Sequence, residues 1–101
     1  MTIMPDGLAD ATSKVFLACL EATPFASWPI ARTMMTYMGP CGGECYQVAV
    51  KADVEQIGGG EIVTVTASCK IERKDDVWHR GYCNFAGSED CPSNLLFMQL
   101  F

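Results

Sequence analysis

Positive charge is scarce in this chain, and so are the residues that enzymes most often use. Seven basic residues stand against twelve acidic ones, a formal net charge of −5 over 101 residues, and there is a single histidine. Residues 1–50 carry two basic and four acidic groups, and residues 51–101 carry five and eight, so the acidic excess is spread evenly. Without a basic stripe to neutralise phosphates, nucleic acid and anionic membranes are not expected as partners. The charge is also too small, and too diluted by apolar residues, for a mimic of DNA.

Long hydrophobic runs are missing as well. Nothing approaches the roughly 20 apolar residues needed to cross a bilayer. The best candidate for an export signal, residues 15–20 behind Lys14, is shorter than the ~7–15 residues of a signal's apolar region. It is followed at once by Glu21. Internal repeats and low-complexity segments are absent too. What remains is a chain that is half hydrophobic and 19% charged, which fits one domain over residues 1–101 with one core. A domain of this size buries roughly two thirds of its unfolded surface.

Residues 7–23 read as an amphipathic helix. Leu8, Ala11, Val15, Cys19 and Ala22 recur at three- and four-residue steps with Phe16 beside them, while Asp10, Lys14 and Glu21 take the other side. Asp6 is placed to cap it, and Pro24 ends it. Residues 28–38 read as a second, shorter helix, capped by Ser27 or Trp28 and closed by Gly39-Pro40. Met34, Met35 and Met38 cluster on it beside Ile30 and Tyr37, and the simplest role for such a stripe is core.

Two segments then alternate cleanly. Over residues 45–54, Tyr46, Val48, Val50, Ala52 and Val54 oppose Gln47, Lys51 and Asp53. Over residues 62–71, Val63, Val65, Ala67, Cys69 and Ile71 oppose Thr64, Thr66, Ser68 and Lys70. Both are half-buried antiparallel strands, and Gly58-Gly59-Gly60 forms the hairpin tip between them. One strand buries even positions and the other odd ones, so paired residue numbers must sum to an odd number, as Val54 with Val63 does. A charged turn at 73–76 leads to a third strand over about 77–85, with Val77, His79, Cys83 and Phe85 on one side and Trp78, Arg80 and Tyr82 on the other. After a turn-rich stretch at 87–93, residues 94–101 are too apolar to hang in water and read as a fourth strand or a docked end. The expected fold is α+β, two N-terminal helices packed on an antiparallel sheet of three or four strands.

Six cysteines are many for a reducing compartment and typical of a small secreted chain, which pulls against the missing export signal. Localisation therefore stays open. Cys19 and Cys69 fall on apolar faces, either as inert core thiols or bonded to each other. Cys41, Cys45, Cys83 and Cys91 fall in loops or at strand ends and suggest two disulfides. The alternative is a zinc site, since Cys41-x3-Cys45 has a spacing that zinc uses and His79 adds a nitrogen. Free thiols are a third state.

No catalytic set emerges. His79 and Cys83 share a face of an extended strand, but four residues place them roughly 13 Å apart, too far for a Cys–His dyad. Acidic residues such as Glu44, Glu55, Glu61 and Asp75 sit in loops or turns, where carboxylates are ordinarily solvated. The glycine run has no following helix or lysine with which to cradle a phosphate. No enzyme activity and no cofactor are expected. The favoured function is a small protein-binding module, an inhibitor, antagonist or effector acting by surface contact, with Trp78, Arg80 and Tyr82 as the contact residues. Two alternatives stand beside it: a zinc-stapled intracellular domain, and a subunit of a larger assembly whose apolar end completes a neighbour's sheet.

Overall fold

A computed structural model describes residues 3–86 and 95–100. Cys91, the stretch 87–93 and Phe101 lie outside the described residues. Among those described, the chain forms one helix, α1 (Leu8–Leu20), followed by five strands: β1 (Ile30–Pro40), β2 (Cys45–Glu55), β3 (Ile62–Lys74), β4 (Val77–Phe85) and β5 (Leu95–Gln99). The strands form one antiparallel sheet in the order β1-β2-β3-β4-β5, so every strand pairs with its neighbour in sequence.

The α+β class holds, and the second helix does not. Residues 30–40 form a strand. Met34, Met35 and Met38 are compatible with a helical stripe, but Ile30, Thr33, Thr36 and Tyr37 are β-formers, and β2 needs a partner along its free edge. Pairing Met35 with Val50 and Tyr37 with Val48 satisfies that edge and turns Met35 and Tyr37 toward the core. Met34 and Met38 remain exposed at 49% and 58%, so the methionines are not a buried stripe. The hairpin turn that joins β1 to β2 holds Gly42 and Gly43 at positive φ, and the Cys41–Cys45 disulfide closes it. Adding this strand to those anticipated raises the sheet to five.

The central hairpin follows the sequence pattern. Val54 pairs with Val63, and the ladder runs unbroken from Cys45 opposite Glu72 to Glu55 opposite Ile62. Val48, Val50, Ala52, Val54, Val65 and Ile71 are all buried beneath α1 and the segment after it. The helix supplies Leu8, Val15, Phe16, Cys19 and Leu20 to the same cluster. It begins one residue later than the pattern suggests and without a side-chain cap: Gly7 occupies the cap position at φ 82°, so Asp6 does not serve there. A Cβ on Gly7 would lie 2.7 Å from Trp78 Nε1, so that position must be glycine on two counts. The helix stops at Leu20, where Thr23 donates its hydroxyl to Leu20 O and accepts from the Phe25 N–H. Phe25 and Trp28 then pack edge to face at 4.8 Å against the core.

Gly81 lets the helix approach the sheet. It lies on the covered face of β4, where a Cβ would sit 2.6 Å from Ile71 Cδ1 and 2.9 Å from Val15 Cγ2. Asp75 and Asp76 make the β3–β4 turn, both at positive φ. The apolar end forms β5 on its own sheet, with Gly81 opposite Met98 and the Leu100 N–H donating to His79 O.

Candidate interaction surface

The three residues singled out on the third predicted strand do not share a face. Glu72 pairs with Arg80 and Arg73 pairs with Trp78, so His79 is an extra residue that bulges β4. Beyond the bulge, Trp78 turns to the helix side. It packs edge to face on Tyr46 at 5.4 Å, donates Nε1–H to Asp6 O, and carries the Arg73 guanidinium over its ring at 5.2 Å. Trp78 thus fastens the start of the helix to the sheet. Arg80 and Tyr82 keep the alternation of the strand and stand on the opposite, open face, where Arg80 is hydrogen-bonded and ion-paired with Glu72.

That open face is built in rows, because antiparallel register sets paired residues side by side. Thr36, Ala49, Ser68 and Asn84 form one row across four strands. Met34, Lys51 and Thr66 form the next on one side, and Gln47, Lys70 and Tyr82 the next on the other. The central row has small side chains, and an open groove of about 480 Å³ lies over it, reaching Met34, Lys51 and Ala86. Gln47 donates its amide N–H to Ser68 Oγ along the floor, and Thr64 donates to Asp53 Oδ1 further out.

Charge is unevenly placed between the two sides. By strand alternation the open face carries Arg32, Lys51, Lys70, Lys74 and Arg80 against Asp53, Glu55 and Glu72. Five of the seven basic residues therefore share one face with three of the ten acidic residues described. The even distribution along the chain becomes a marked separation in space. Lys51 and Lys70 were legible as solvent-side residues of their strands. Arg32 was hidden by the helical reading of residues 28–38, although the β-branched residues around it were a signal for a strand.

The cysteines pair differently from the anticipated grouping. Cys69 and Cys83 face each other directly on β3 and β4 with Cα atoms 4.1 Å apart and form a buried disulfide. Cys83 is thus a core residue rather than a strand-end one, and Cys69 is bonded to it and not to Cys19. Burial pushes the Cys19 thiol above its usual value, opposed by the backbone N–H of Cys83. The alternative zinc set of Cys41, Cys45, Cys83, Cys91 and His79 loses three thiolates to the two disulfides. The same bonds withhold those sulfurs from nucleophilic chemistry. His79 lies at the bulge, beside Glu44, Glu72, Arg73, Lys74 and Arg80 around an open depression. Among the described residues no helix is long and apolar enough to cross a membrane.

No protein-family model matches this chain, and no curated protein and no solved structure matches it.

Proposed function

We propose that this chain is a small non-catalytic protein-binding domain that works by surface contact, in the manner of an inhibitor, antagonist or effector. The observation that carries this reading is the open face of the sheet. One face is filled by α1 and its apolar partners, and the other offers a grooved, hydrogen-bonding surface with Arg80 and Tyr82 at one side. Arginine and tyrosine are enriched among residues that dominate binding energy. Four of the sulfurs, those of Cys41, Cys45, Cys69 and Cys83, are tied up in structural disulfides, which favours a binding role and an oxidising compartment. Trp78 belongs to this reading only indirectly, as the side chain that anchors the helix behind the sheet.

The test is an affinity capture with the folded, disulfide-intact protein, followed by measurement of the recovered partner's affinity. Tyr82→Ala should weaken that affinity by about tenfold or more while leaving the melting temperature nearly unchanged. An unchanged affinity would remove the open face from the reading.

A second reading, as a subunit of an assembly, draws support from β1. It stands at the edge of the sheet over eleven residues, with Ile30, Met34 and Met38 exposed. Such edges pair readily with another chain. The apolar end pairs with β4 within the chain's own sheet, where β5 forms the other edge. A sedimentation measurement across concentration separates the two readings.

A further inference from the structure

We infer that the open face docks an acidic segment of a partner protein, seated over Ala49 and Ser68 with its carboxylates toward Lys51 and Lys70. This rests on the contact reading above and adds the chemistry of the partner to it.

Three observations converge on that occupant. The first is the separation of charge: on the open face five basic residues stand against three acidic ones, in a molecule that is acidic as a whole. One of its acids, Glu72, is ion-paired with Arg80, and the rows that hold Lys51 and Lys70 contain no carboxylate, Asp53 standing in the row beside Lys51. The second is shape. An open groove over the row of small side chains reaches the row that holds Lys51, and Lys70 stands one row beyond on the other side, so a polypeptide backbone can come close to the sheet between them. The third is the rest of the described chain, where seven acidic residues stand against two basic ones, which steers an acidic segment toward this face.

The same observations disfavour a nucleic acid. Single strands are held by aromatic platforms on which successive bases stack. Tyr82 is the one aromatic side chain described on this face. A short carboxylate-bearing segment meets the lysines without needing such platforms.

The experiment uses the full chain with its disulfides intact and a fluorescent synthetic peptide alternating glutamate with serine. Its twin carries glutamine in place of glutamate, and an oligothymidylate of equal charge serves as the third probe. At low ionic strength the glutamate peptide should bind, the glutamine twin should not, and affinity should fall as salt is added. The double variant Lys51→Glu with Lys70→Glu should lower affinity by at least about tenfold, while Lys14→Glu on the exposed side of α1 should leave it unchanged. Should the reversal disturb folding, Lys51→Gln with Lys70→Gln must still weaken binding with an unchanged melting temperature.

Four results overturn the inference: no binding by the unaltered protein up to about 1 mM peptide, equal binding of the glutamine twin, equal loss with Lys14→Glu, or tighter binding of the oligothymidylate. Self-association abolished by the double variant would make the occupant a second copy of this chain, and would also overturn it. A natural partner lost with Tyr82→Ala but retained by the lysine variants sinks this inference and leaves the contact reading standing.

Discussion

The two faces of the sheet are made by the same strands and behave as different materials. On the covered side, Val48, Ala52, Val54, Val65 and Ile71 are fully buried against the helix, and a disulfide is set among them. On the open side the intervening residues are threonine, serine, glutamine and lysine, held by register rather than by packing. Alternation along a strand puts buried and open positions one residue apart. Substitutions should therefore divide sharply according to face.

The largest effect is expected at Phe85, fully buried and stacked at a tilt on Phe16 with ring centroids 5.7 Å apart. Phe85→Ala leaves a cavity and should cost about 3–5 kcal/mol in chemical denaturation, enough to unfold much of a marginal domain. A cost below about 1 kcal/mol would mean that the helix does not seal this face.

The two disulfides sharpen the comparison. Cys69–Cys83 spans fourteen residues within the core and Cys41–Cys45 spans four at a turn. The loop-closure model gives about 3 kcal/mol for the longer and about 2 for the shorter. Replacing each pair by alanine and measuring denaturation midpoints should reproduce that order. Peptide mapping of the oxidised protein should recover both links, and a Cys19–Cys69 link would contradict the register of β3 and β4.

Trp78→Ala comes next. Losing the contacts to Tyr46, Arg73 and Asp6 O should lower stability by about 2 kcal/mol, because the side chain is half-buried and holds the helix start. A melting temperature that does not move would return Trp78 to the open surface. Smallest of all, Thr66→Ala, one strand away from Lys51 on the open face, should change stability by no more than about 0.5 kcal/mol in a thermal melt.

How much of this was written in the sequence depends on where local pattern and tertiary pairing agree. Residues 45–54 and 62–71 alternate with only Cys45, Ala49 and Ile62 apolar among the open positions, so both strands, their buried faces and the pairing of Val54 with Val63 were legible. Residues 30–40 carry methionines that suit either period, and what decides for a strand is the edge of β2, which local pattern does not contain. The bulge at His79 was invisible for a similar reason. The order Trp78-His79-Arg80 is silent about a register shift, and only pairing with Arg73 sends the tryptophan to the helix side. The open-face cluster of basic residues had to wait for register to bring Arg32, Lys51 and Lys70 from separate strands onto one surface.

The order of the strands bears on how the chain assembles as it is made. Because each strand pairs with the one just before it, the sheet can grow by successive hairpins, each closing a short loop. The helix is the exception: it is synthesised first, yet it packs on β3, β4 and β5, the last elements to emerge. Its apolar side, from Leu8 to Leu20, can be covered only once those strands are in place. Molecules interrupted before β4 is complete would carry that side exposed, which makes them natural clients for chaperones and the form most prone to aggregate.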